Sequence, residues 1–346
     1  MSKLGRPSTL EAANLVVSKC GLHSINTSHP GYGTLLQTVN AAGRKLSLVK
    51  CRDNFGPAFE AAQLRPDVLT IGAQTAYDGF PFDYAKFKTT ALLNPHIKYW
   101  EVFNEQNGVW VEQADLYISL LPQFAADGLR LCAFNCASGT PQYPHIDPLP
   151  YQQIKRVCDF AKERGYDMLL GLHEYGTGAD LIGRYKVLAD YLGASCPPIV
   201  ITEYGKIEAG NITPAELLPY IANNDQADMR DPRLLGRALW TMGGWVNIEA
   251  SFVELADYLA TVAPVEPVPT DREFDHWLDL DTGETFTANP HSFGMPARNV
   301  RLESISRPKP PTLYTCQISS DDPSIAVTGG GTFKAGDAVT AFASEA

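Results

Sequence analysis

Eight short apolar runs, each closing on polar residues and followed by a segment of helical periodicity, recur between residues 21 and 262. The runs are 21–26, 46–51, 68–73, 99–103, 129–135, 168–172, 198–203 and 237–242. The helical segments behind them are 32–42, 58–64, 82–93, 111–126, 151–164, 179–192, 214–222 and 251–262. Runs such as LSLVKC and PIVITEYG are near-continuous in Val, Ile and Leu rather than alternating. A strand reads this way when both its faces are covered, as in a parallel sheet wrapped by helices. Eight such units in about 245 residues predict an α/β fold, the (β/α)8 TIM barrel. A doubly wound open sheet is the competitor. No Gly-x-Gly-x-x-Gly follows the first run, so a dinucleotide site has no support and no cofactor is expected.

The helical segments carry their own signals. Leu116, Leu120 and Phe124 recur at i, i+4 and i+8, with Pro122 expected to kink that helix. Tyr151, Ile154, Val157, Cys158 and Ala161 share one face. Gly193 is a stop. A short lead-in helix is expected over 10–17. From residue 263 the character changes. A Pro-rich linker and β-rich extension covers 263–311 and ends in RPKPP, and a small β segment covers 312–346, with Gly-rich turns and alternating Phe333 and Val339. The barrel is therefore expected to occupy 1–262.

Composition excludes several partners. A net charge of −11, with basic residues scattered, argues against nucleic acid and against an anionic membrane surface. No apolar run reaches the roughly 18 residues of a membrane span. The first twenty residues lack the apolar core of a signal peptide. The expectation is a soluble protein, cytoplasmic or released by a non-classical route such as a phage-type one. Seven cysteines at irregular spacing are expected to be reduced and structural. Cys132 and Cys136, four apart, are expected on one strand face.

In a barrel of this kind the carboxyl ends of the strands form one mouth. That rule gathers Arg52, Gln74, Asn104, Glu105, His173, Tyr175, Glu203, Trp240 and Trp245. The fourth run ends in Asn104-Glu105 and the seventh in Glu203, and these two strands stand roughly opposite each other. Two carboxylic acids across a mouth are what glycosidic hydrolysis needs: one protonates the leaving oxygen, the other attacks the anomeric carbon or activates water. Glu174, between His173 and Tyr175, is expected to point into the wall by alternation. His23, Asp53, His173 and Glu203 are the conceivable metal ligands, but no His-x-His follows the first run, and no metal is expected.

With Asn104-Glu105, Glu203 in ITEYG, His173-x-Tyr175, Arg52 and Trp240 in this strand order, residues 18–262 resemble clan A of the glycoside hydrolases. The resemblance implies a retaining mechanism without a cofactor. It implies that Glu105 is the acid/base and Glu203 the nucleophile. Arg52 would keep Glu203 ionised, Tyr175 would hydrogen-bond it, and Asn104 would hold the sugar 2-hydroxyl. Trp240 would stack on a ring, and His173 would orient Glu105 or contact substrate. Trp245 and Trp110 would either line outer sugar subsites or pack under their own loops. Some clan A families have a histidine near the end of strand three, where this chain has Ala73-Gln74-Thr75. No single family matches the whole chain.

The implied partner is an oligo- or polysaccharide with a β linkage. The alternative is a carbohydrate-binding or structural barrel protein, such as a virion or surface component, with weak or lost catalysis. The two differ in whether Glu203→Gln abolishes turnover while leaving binding intact.

Overall fold

A computed structural model of the chain describes residues 18–25, 29–77, 79–106, 108–176, 181–205, 210–211, 213–242 and 246–263, and the backbone of strands between 272 and 345. The expected lead-in helix over 10–17 lies outside the described residues. The chain divides into two compact units, Met1–Pro267 and Val268–Ala346.

The first unit is a closed barrel of parallel strands in chain order. These are β1 (Cys20–Ser24), β2 (Leu48–Arg52), β3 (Leu69–Ala73), β4 (Tyr99–Glu101), β5 (Leu131–Cys136), β6 (Met168–Tyr175), β7 (Ile199–Gly205) and β8 (Leu234–Met242). β8 closes the ring on β1, with Cys20 opposite Arg237 and Leu22 opposite Leu239. The helices behind them are α1 (Tyr32–Ala41), α2 (Gly56–Leu64), α3 (Tyr84–Leu93), α4 (Trp110–Ala126), α5 (Pro148–Arg164), α6 (Arg184–Leu192), α7 (Pro214–Asp228) and α8 (Phe252–Thr261).

Local chemistry sets the helix ends. Asp147 caps α5, its side chain accepting from the Leu149 N–H. Pro148 fills the first turn, where its missing N–H costs nothing, and Gly165 ends the helix at φ 70°. Thr213 and Glu216 form a reciprocal capping box at the start of α7. That helix runs six residues past the expected 222, through Asn223 and Asn224, which have poor helix propensity. Tertiary anchors hold the extra turns. Asp225 accepts from Ser18 Oγ at 2.6 Å and from Tyr258 Oη at 3.0 Å, and Asp228 pairs with Arg237. Pro122 lies inside α4, which continues through it.

Alternation sorts the strand residues into two cores. Leu48, Ile71, Cys132, Leu169, Val200 and Ala238 form an apolar plug inside the barrel. Their strand neighbours, among them Val49, Leu131, Leu170 and Ile201, face outward into the large core under the helices. Cys132 and Cys136 do not share a face: Cys132 belongs to the plug and Cys136 to the outer core. The cause is a register shift between Phe134 and Cys136, where Phe134 and Asn135 take left-handed φ values of 74° and 44°. The six cysteines of the described barrel are free thiols.

In the second unit, Val300–Pro308 pairs antiparallel with Arg272–Asp279 on one side and with Ala338–Glu345 on the other. Segments before and after the RPKPP stretch thus share one sheet. Thr285–Phe286 and Ile325–Thr328 complete it, and Leu313–Cys316 pairs with Gly331–Lys334.

Candidate active site

Above the apolar plug the barrel interior turns polar. Leu48, Lys50 and Arg52 alternate inward on β2, so the lysine comes one strand step after the plug residue. Gly171, His173 and Tyr175 continue inward from Leu169 on β6.

Glu203 reaches the interior through an irregularity in β7. Pairing between β6 and β7 runs Leu172 opposite Ile201, then His173 opposite Glu203. Thr202 is the extra residue, a β-bulge that re-aims the side chains after it. Strict alternation from the plug residue Val200 would turn Glu203 outward beside Ile201. With the bulge, Thr202 lies 3.4 Å from Asn135 Oδ1, Glu203 meets Lys50 and Tyr175, and Tyr204 takes the outward position.

Glu105 is placed by a strained backbone. It sits at φ 53°, and its N–H donates to Asn135 O at 3.1 Å. Asn135 in turn donates from Nδ2 to Phe103 O at 3.1 Å and to Cys132 O at 3.3 Å. Room for its carboxamide comes from Gly171, where an added Cβ would fall 1.8 Å from Asn135 Oδ1.

His173 stands between the two acids. Its Nδ1 is 2.7 Å from Glu105 Oε1 and 3.5 Å from Glu203 Oε2. Tyr175 Oη donates to Glu203 Oε2 at 2.6 Å, and Lys50 Nζ donates to Glu203 Oε1 at 3.0 Å. His23 Nε2 lies 3.8 Å from the same Oε1. Beneath them Lys50 Nζ ion-pairs with Glu101 Oε2 at 2.8 Å. The two candidate acids differ in environment: the Glu105 side chain is 39% exposed and that of Glu203 is 6% exposed.

Burial alone would push the Glu203 carboxyl up. His173, Lys50 and the Tyr175 hydrogen bond outweigh it and hold the carboxyl well below its ordinary range. Burial, with Lys50 nearby, also depresses His23 and keeps that imidazole neutral. Lys50 is a lasting charge. Burial would lower its pKa, but Glu101 and Glu203 raise it above the ordinary value. Burial and the Glu203 charge push the Tyr175 phenol up, so it stays a donor.

The other residues expected at the mouth divide between it and the wall. Asn104 is half-buried next to Glu105. Trp240 is half-buried, its ring 4.5 Å from that of His23 and 6.3 Å from that of Tyr175, and its peptide bond to Thr241 is cis. Arg52 sends its Nε to Thr75 Oγ1 at 2.8 Å. Lys50, one strand step below it, takes the place beside Glu203 that was expected of Arg52. Gln74 turns to the Phe87 carbonyl, and Trp110 is buried in the outer core. Glu174 is fully buried in the wall, where it accepts from Gly183 N and Tyr185 N and pairs with Arg237. Trp245 lies outside the described residues.

Sequence reasoning missed Lys50, Glu101 and the bulge at Thr202. A lysine inside LSLVKC and a glutamate inside YWEVF were visible as charges within apolar strands. Such a charge is almost never buried without a partner. The bulge has no comparable signal.

Glu105, His173 and Glu203 also offer three ligand atoms that all lie within 4.8 Å of one another, a spacing that a divalent cation could bridge. No described helix is long and apolar enough to cross a membrane.

No family model and no curated protein matches the chain. Among solved structures it is similar to a GH30 endoxylanase from Clostridium papyrosolvens C71, at 12% identity and a TM-score of 0.44, over 96% of this chain and 98% of that one. It is similar to a beta-mannanase from Streptomyces thermolilacinus solved with mannohexaose, at 14% identity and a TM-score of 0.43, over 65% of this chain and 78% of that one. It is also similar to an endo-1,4-beta-D-mannanase from Thermotoga petrophila RKU-1, at 11% identity and a TM-score of 0.41, over 70% of this chain and 99% of that one. At these identities the likeness is one of fold.

Proposed function

We propose that the barrel is a retaining glycoside hydrolase that cleaves a β-linked glycan or glycoside by double displacement. Glu105 is its acid/base and Glu203 its nucleophile. The observation that carries this reading is the spacing of the two acids, whose nearest oxygens lie within 4.8 Å of each other. A retaining pair stands about 5–5.5 Å apart, whereas an inverting pair stands about 6.5–9.5 Å apart to admit a water. The environments divide the roles. Glu203 is buried among donors that favour its carboxylate, as an attacking group needs. Glu105 is exposed at the mouth, where a leaving oxygen and later a water can reach it.

In the first step Glu203 attacks the anomeric carbon while Glu105 gives its proton to the departing oxygen. In the second, Glu105 takes a proton from water, which displaces Glu203 from the sugar. Tyr175 and Lys50 fix the Glu203 carboxylate. We assign Asn104 to the sugar 2-hydroxyl and Trp240 to stacking on a ring face.

The test is labelling with 2-deoxy-2-fluoro glycosides of several sugars, followed by intact mass and peptide mapping. A stable adduct on Glu203 is expected, on the sugar bound next to the scissile bond. No adduct from any sugar, alongside measurable glycan binding, overturns the reading in favour of a binding scaffold. The bridging geometry of Glu105, His173 and Glu203 supports a second reading, a metal-dependent hydrolase. Loss of turnover on chelation, restored by a divalent cation, would favour it.

A further inference from the structure

We infer that Lys50 and Glu101 form a positioning pair beneath Glu203: Lys50 supplies the fixed charge that holds the Glu203 carboxylate, and Glu101 sets how much of that charge Glu203 receives. The inference rests on Glu203 being the nucleophile.

The geometry is that of one cation shared by two anions. Lys50 Nζ lies 2.8 Å from Glu101 Oε2 and 3.0 Å from Glu203 Oε1. The Lys50 side chain has no exposure and that of Glu101 has 1%. Neither can exchange its partner for water. Glu101 Oε1 has no hydrogen-bond partner among the described residues. A buried carboxylate with an oxygen left over is costly, and a structural role alone is met as well by an apolar pair. Its position makes it a competitor for the ammonium that faces Glu203. The Glu101 charge offsets part of the Lys50 charge, so Glu203 is held ionised less firmly than an unshared lysine would hold it and stays the more basic for that.

Other groups face Glu203 as well. They are His23 from β1, Glu105 beyond β4, and His173 and Tyr175 from β6, with the Arg52 charge at the end of β2 felt by His23. Lys50 Nζ meets Glu101 and Glu203, whereas His23, His173 and Tyr175 meet Glu203 itself, so changes at the pair separate from changes at these groups.

The test reads Glu203 directly. Glutamate carrying a 13C δ-carboxyl is incorporated, and the Glu203 signal is assigned by its loss in Glu203→Gln. Lys50→Met alone would strand a buried charge, so the variants are Lys50→Met/Glu101→Gln, Glu101→Gln and the charge-keeping Lys50→Arg. The titration midpoint of Glu203 is expected to rise by about one to three pH units in the double variant, as a contacting opposite charge is lost. It is expected to fall in Glu101→Gln and to stay near the parent value in Lys50→Arg. The acidic limb of kcat/KM is expected to move with it. Folded variants whose Glu203 midpoint does not move overturn the inference. Midpoints that move while the acidic limb stays fixed sustain the electrostatic coupling but sink Glu203 as nucleophile. A Glu101→Gln shift in the same direction as the double variant overturns the role given to Glu101.

Discussion

His173 Nδ1 touches both candidate acids, at 2.7 Å from Glu105 and 3.5 Å from Glu203. One ring nitrogen therefore fixes the distance between two carboxylates carried by strands on different sides of the barrel. His173→Ala frees Glu105 to swing toward solvent. Because reacting groups misplaced by about 1 Å can cost on the order of 100-fold, kcat should fall by about that factor. Glycan affinity should change little. Kinetics paired with calorimetric binding on the same variant would check this, and an unchanged kcat would remove His173 from the machinery.

The division of labour between the acids has a leaving-group signature. If Glu105 donates the proton, its loss matters only where the leaving oxygen needs one. Glu105→Ala should slow a natural glycoside by about 100- to 10,000-fold. It should slow the first step far less for an aryl glycoside whose phenolate departs unassisted. Glu203→Gln should abolish turnover of both substrates. Equal losses on both substrates for Glu105→Ala would contradict the acid role.

Much of this arrangement was legible because it follows from periodicity. Near-continuous apolar runs marked the parallel strands, and their polar ends marked the mouth. Alternation placed Glu174 outward, into its pairing with Arg237. The same rule, applied to Leu48, would have placed Lys50 inward. What alternation could not reveal were its own interruptions. The Thr202 bulge and the left-handed Phe134 and Asn135 are fixed by contacts between strands, not by residue type. They re-aim Glu203 and split Cys132 from Cys136. Helix α7 outran its local propensity for the same reason, being held through Asp225 and Asp228 by Ser18, Tyr258 and Arg237 from outside.

The ionisation of Glu203 should appear in stability as well as in rate. Its folded pKa lies below the unfolded value of about 4.3. A depressed carboxyl contributes stability that is fully present above the unfolded pKa and is lost as pH falls toward the folded one. Urea unfolding of the parent should therefore weaken more steeply below about pH 4.3 than that of Glu203→Gln, which has no such group to protonate. Parallel curves for the two proteins would mean that Glu203 is not held ionised by its neighbours.

The last relationship to test lies behind Glu105. Gly171 has no side chain, and the Asn135 carboxamide occupies the space, 1.8 Å from where a Cβ would stand. Asn135 ties Phe103 and Cys132 together through Nδ2, and its carbonyl receives the Glu105 N–H. Gly171→Ala must push the carboxamide aside, because the clash is with a packed, hydrogen-bonded group rather than a free chain end. Overpacking of this kind costs about 1–3 kcal/mol, which leaves a barrel of this size folded. The displaced carboxamide releases the turn at Phe103 to Glu105, so activity should fall by more than the loss of stability explains. Gly171→Ala/Asn135→Ala removes the obstructing group and should recover part of the stability but none of the activity, since the Phe103 carbonyl has lost its donor. Unfolding by urea and kcat measured on both variants separate the two effects. Full activity in Gly171→Ala would show that Glu105 does not depend on Asn135 for its position.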